Sequence, residues 1–192
     1  YRMFVIGGAS ASTDAGFDNS ATATNLLSTA TTVSGTTYNK YRQIGWVMTD
    51  GSANIRKFYS NVADPRTVYW ETPYLDHDAD DITSSRQLET LTAPPDSVAL
   101  SIVTIKGAAD SEAYFVDIRH PSMDDVAAGS TNYVIKSDVQ TGGPFRIATE
   151  AELYVDASRQ VAFRGHSGGG ALGDVKFGIL TRGFKYARGI NE

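Results

Sequence analysis

A chain of 192 residues, 41% hydrophobic and 20% charged, is long enough to bury one core and too apolar to be a disordered tail. It has no cysteine, which excludes a disulfide framework, thiolate metal sites and a cysteine nucleophile, so stability must come from packing or assembly. A net charge of −5 argues against nucleic acid and anionic membrane as partners, because both reward clustered Lys and Arg, and no apolar run is long enough to insert across a bilayer.

In chain order, strand signals dominate. Arg2 to Ile6 is a first strand, and its start at Tyr1 inside an apolar run suggests continuation of a longer protein. Residues 7–37 form a polar Ala/Ser/Thr-rich segment. Within it, Asn19 to Ala30 holds a helical turn or two at most, since Leu26 and Leu27 are its only large anchors. We take 1–37 as an N-terminal strand and polar segment, and 38–192 as a β-sandwich domain forming one compact unit with it. Arg42 to Met48 and Asn54 to Tyr59 flank Thr49-Asp50-Gly51-Ser52, and Asp-Gly between two apolar runs predicts a β-hairpin. Thr67 to Trp70 reads as a short strand closed by Pro73.

Gln87 to Thr92 is a further strand, stopped by Pro94-Pro95. Ser97 to Lys106 places Val98, Leu100 and Ile102 on one face and Ala99, Val103 and Ile105 on the other, as a central strand between layers does. Glu112 to Ile118 is expected to pair with it through the Gly107 to Ser111 turn. Strands follow at Tyr133 to Ser137, Phe145 to Thr149, Glu152 to Asp156, Gln160 to Arg164 and Lys176 to Tyr186. Short strands, turn chemistry and no long amphipathic helix predict an all-β fold: an antiparallel β-sandwich, jelly-roll-like, with a short helical turn at most.

Gly165-His166-Ser167-Gly168-Gly169 matches the G-x-S-x-G nucleophile elbow, which needs a helix after the serine and an acid and a histidine downstream. Gly168-Gly169-Gly170 disfavours that helix, and the three histidines, His77, His120 and His166, all precede Ser167. A glycine-rich turn between two strands is the better reading. Asp76 to Gln87 opens like a calcium loop, but Asp81 stands where glycine is needed and Gln87 where a bidentate Glu is needed, so a solvated acidic loop is expected. His120-Pro121-Ser122-Met123-Asp124-Asp125 gathers a His, a Ser and two acids, yet sequence neighbours in such a loop rarely point at one another. Arg159, Arg164, Arg182 and Arg188 suggest one salt-bridging face along the last strands. No catalytic, metal or cofactor site is assigned. The candidate surface contacts are Tyr69, Trp70 and Tyr74, whose aromatic faces stack on sugars or anchor interfaces, with Asp76, His77 and Asp78 beside them.

Several pieces together resemble the C-terminal region of tailed-bacteriophage and prophage tail-fibre or tail-associated structural proteins. They are Tyr38-Asn39-Lys40-Tyr41-Arg42-Gln43-Ile44-Gly45, Thr49-Asp50-Gly51-Ser52-Ala53-Asn54-Ile55, the Leu91 to Ile105 strand with its Pro-Pro turn, Ser158-Arg159-Gln160-Val161 and the terminal Arg188-Gly189. The likeness runs from about Tyr1 to Gly189. Residues 67–86 and 145–156 follow the pattern less well, which points to them as the place of this protein's own specificity. The resemblance implies a non-enzymatic virion protein of the tail, extracellular when mature. It also implies assembly with itself as a homotrimer; other virion tail proteins, and a host surface glycan or protein, are the further partners expected. A passive capsid-decoration, tail or baseplate appendage is one alternative, and a tail-spike-like polysaccharide-degrading enzyme using two of the 22 acids is another.

Overall fold

The computed structural model describes residues 1–8, 11–34, 37–80, 82–107, 113–129, 131, 133–136, 145–168 and 175–186. The chain divides into two compact units, Tyr1–Lys57 with Tyr186–Glu192, and Phe58–Lys185. The division falls after Lys57 and not at 37/38, because the strand that follows residue 37 hydrogen-bonds to the first strand of the chain.

The smaller unit is a three-stranded antiparallel sheet and one helix. Its strands are β1 (Arg2–Gly8), β2 (Ala11–Asp18) and β3 (Lys40–Trp46), in the order β2-β1-β3. The helix α1 (Thr24–Ser34) sets Leu26, Leu27 and Ala30 against a small core of Phe4, Ile6, Ala23 and Tyr38. At eleven residues it is longer than two leucines suggest, and its start explains why. The residue before it is Ala23, at φ 53°, which offers no capping side chain. Asp18, buried at the end of β2, takes that role by accepting hydrogen bonds from the Leu26 amide (2.7 Å) and the Asn25 side chain (2.9 Å). A carboxylate there also complements the positive end of the helix. Gly16 makes the close approach possible, since a Cβ on it would lie 2.5 Å from Leu26 Cδ1.

The Asp-Gly turn closes a short antiparallel pairing from Met48 to Arg56, but the long arms expected around it do not pair with each other. Thr49 bridges Ile55, the Asp50 amide donates to Asn54 O at 2.9 Å, and Asp50 Oδ1 accepts from the Ser52 and Asn54 amides. These bonds hold the Asp50 carboxyl below its usual range, against a smaller upward push from burial. The expected second arm instead enters the larger unit as β4 (Phe58–Ser60) and pairs there with β5 (Thr67–Ala79).

The larger unit is an antiparallel β-sandwich, so the all-β expectation stands. Its remaining strands are β6 (Gln87–Thr90), β7 (Val98–Gly107), β8 (Tyr114–Arg119), β9 (Ile135–Lys136), β10 (Phe145–Tyr154), β11 (Gln160–Ser167) and β12 (Val175–Lys185). One sheet runs β10-β7-β12-β5-β4 and the other β6-β11-β8-β9. Aromatic rings fill the space between them: Phe163 meets Phe177 at 5.0 Å, and Tyr114 stacks on Phe145 at 5.8 Å.

Three expectations are corrected here. β8 pairs with β11 and β9 and not with β7, because β10 and β12 occupy both edges of β7. The two strands expected across 145–156 are one continuous β10. β5 runs through Pro73 because its pairing with β12 is interrupted there. Tyr69 opposes Gly183 and Tyr74 opposes Thr181, so Trp70 to Pro73 stand opposite Arg182 alone, and the missing proline N–H leaves no gap in the ladder.

Candidate functional site

Strand β5 holds all six expected contact residues, and the structure sends them in two directions. Trp70 is only 4% exposed; its indole N–H donates to the Thr92 carbonyl at 3.0 Å, and its ring packs against Tyr74 and Phe184. His77, 7% exposed, lies between Phe163 and Phe177 and shares a 2.7 Å hydrogen bond with Glu89 Oε2. A carboxylate only accepts, so Nδ1 carries the proton. Asp76 accepts from the Thr92 amide and hydroxyl at 2.8 and 2.6 Å. The register shift between Leu75 and His77 inserts Asp76 as an extra residue, which lets Asp76 and His77 both reach the segment that carries β6. Trp70, Asp76 and His77 are therefore ties within the sandwich and not surface contacts. The acidic stretch through Ala79 is strand where a solvated loop was expected.

What remains outward keeps Tyr69 and Asp78 and adds residues that the sequence did not single out. Leu75 opposes Leu180, Leu180 opposes Ile102, and Ile102 opposes Glu150, which makes one row across the outer face of the five-stranded sheet. In the neighbouring row Tyr59 opposes Tyr69, Tyr69 opposes Gly183, and Gly183 opposes Leu100. Leu75 is 62% exposed, Tyr59 60% and Tyr69 39%. This band of leucine, isoleucine and tyrosine is bounded by ion pairs. On one side Arg182 holds Glu150 at 2.9 Å and Lys185 holds Glu152, whose hydrogen bond raises the Lys185 pKa. On the other, Asp78 takes Lys106 at 3.1 Å and Lys176 at 3.5 Å, and the Lys106 hydrogen bond, with both lysine charges, keeps its carboxyl below the usual range despite a push from burial.

The sequence pattern hid this band for a reason. The two apolar faces of β7 suggested a strand covered on both sides, whereas β7 is central only in the plane of the sheet, and Ile102 lies half-buried on the outer face. Leu75, an apolar residue in a polar run, was the one available signal.

The remaining sequence features resolve as follows. Ser167 ends β11 opposite Tyr114, and β12 follows as a strand; the glycine-rich turn at 169–174 lies outside the described residues. His120 and Ser122 do point at one another, contrary to expectation: Nδ1 lies 2.7 Å from the serine Oγ and accepts the Ser122 amide at 3.2 Å. That closes a turn, while Asp125 is spent on Arg164. The arginines do not share a face, since Arg164 is on the four-stranded sheet, Arg182 on the five-stranded one and Arg159 in the turn before β11 at φ 65°, with Arg188 outside the described residues. A cleft of about 420 Å³ is lined by Ile118, His120, Val134, Glu150, Glu152 and Leu153, among others. Among the described residues no cluster of His, Asp and Glu is placed to hold a metal, and no helix is long and apolar enough to cross a membrane.

No protein-family model matches the chain, and no curated protein matches it significantly.

Proposed function

We propose that this chain is a non-enzymatic structural domain of a bacteriophage virion, tail-fibre-like, whose outer sheet face contacts the host cell surface. The virion assignment rests on the resemblance carried by Tyr38 to Gly45 and Thr49 to Ile55. The contact role rests on one observation, the row Leu75, Leu180, Ile102 with Tyr59 and Tyr69 beside it. Such a band on an outer face, rimmed by charge, suits an interface better than isolated apolar residues do. Adhesion to a repetitive surface gains from several weak sites held together, so a shallow face suffices when the domain is present in several copies.

Immunogold electron microscopy of intact particles, with antibody to this chain, tests the reading. Label at distal fibre tips is expected. Label along the capsid or tail shaft overturns host contact and leaves a passive appendage, and particles without label overturn the virion assignment. The enzymatic alternative has its own readout: Ser167→Ala and Glu150→Gln are expected to change nothing on host capsule, and hydrolysis by the parent protein that either substitution abolishes would establish a hydrolase.

A further inference from the structure

Three of the four strands that end the two sheets of the larger unit are poor templates for further pairing. β4 has three residues, β6 four and β9 two, and beyond Trp70 the free side of β5 runs through Pro73 and the extra residue at Asp76. Short edges, proline and bulges are the usual protections against edge-to-edge association. β10 has none of them. It is ten residues long, pairs with β7 at every position without a register shift, and contains no Pro, Gly or Lys. Among the described residues no backbone hydrogen bond reaches its outer edge. The cleft lined by Glu150 to Tyr154 adjoins the second half of the strand.

The sequence of β10 is also complementary to itself. Run antiparallel against a second copy with Thr149 opposite Thr149, it places Arg146 opposite Glu152 twice on the outer face. On the inner face it places Phe145 opposite Leu153 and Ile147 opposite Ala151. Arg146 is exposed and has no ion-pair partner among the described residues, so the pairing supplies one. Sliding the centre to Glu150 would set two like charges against each other, which disfavours that register.

We propose that two copies of this chain pair antiparallel through β10, twofold about Thr149, and so join their five-stranded sheets into one sheet of ten. The proposal stands apart from the virion assignment, because it depends on the edge and its charges alone. It also differs from the threefold assembly that the resemblance implies: a strand edge pairing with itself is isologous and closes at two copies.

Sedimentation equilibrium of the full chain, with native mass spectrometry, gives the test. A monomer–dimer equilibrium is expected. Arg146→Glu and Glu152→Arg should each weaken it by about tenfold or more, since each turns two cross-strand attractions into repulsions. The double exchange Arg146→Glu with Glu152→Arg should restore it. Circular dichroism and thermal unfolding of each variant separate lost pairing from lost folding. Overturning results are a monomer at all concentrations, a trimer, or a dimer indifferent to both charge reversals.

Discussion

The two units solve the same problem by different means. The smaller one packs around a small cluster of Phe4, Ile6, Ala23 and Tyr38 and depends on a polar device, the Asp18 carboxylate, to start its helix against the sheet. The larger one faces two sheets across a layer of aromatic rings and uses polar groups, such as Asp76 and His77, chiefly to tie one sheet to the other. A small core thus leaves more of the structure to charge, and a large core leaves more of it to shape.

The sharpest way to break the larger unit is at Gly183. A Cβ there would lie 2.1 Å from the Val68 carbonyl oxygen and 2.9 Å from Tyr69 Cα, both backbone atoms that cannot turn aside. Gly183→Ala is therefore expected to cost more than about 4 kcal/mol, read by chemical denaturation. Next come the ring deletions: Phe177→Ala and Phe4→Ala are each expected to cost about 3–5 kcal/mol, and hydrogen exchange read by mass spectrometry should place the first in 58–185 and the second in 1–57.

Asp18→Ala should cost about 1–2 kcal/mol, with loss of helical dichroism from 24–34. Its pH signature distinguishes charge from packing. Burial pushes the Asp18 carboxyl upward, but the hydrogen bonds from Ser20, Leu26 and Asn25 outweigh it and hold the pKa at about 2. Since the folded value lies below the unfolded one, this stabilisation is complete above about pH 4 and is lost as pH falls toward 2. Exchange in 1–34 should rise over that window in the parent protein, and the Asp18→Ala variant should lack this step. The smallest effect on stability is expected at the outer face, where Leu75→Asp should stay within about 0.5 kcal/mol while reducing binding to host cells. A large loss of stability there would mean that Leu75 belongs to the core.

The sequence made the all-β class plain because alternation and turn residues recur from Tyr38 onward. It did not reveal β2, whose Ala-Ser-Thr-Asp-Ala-Gly run has no apolar period and is held by its backbone ladder to β1. Nor did it reveal partners. The Glu112 to Ile118 strand and the second arm of the Asp-Gly turn were legible as strands, but neighbours in sequence were assumed to be neighbours in space. Of the expected contact residues, Tyr69 and Asp78 stay outward, while Asp76 and His77 turn inward for a related reason. A period of two assigns alternate residues to opposite faces, and the extra residue at Asp76 shifts that assignment partway along β5, so Leu75 goes outward while Asp76 and His77 both reach the other side.

The ladders at the two ends of the larger unit also set how it carries load. A pull on the chain at Lys185 runs along β12, which is paired along most of its length with β7 on one side and β5 on the other, so many hydrogen bonds share the force in parallel and must shear together. A pull at Phe58 meets β4, whose three pairs with β5 can open one after another. Under tension, the unit should yield first at β4 and keep its central strands joined.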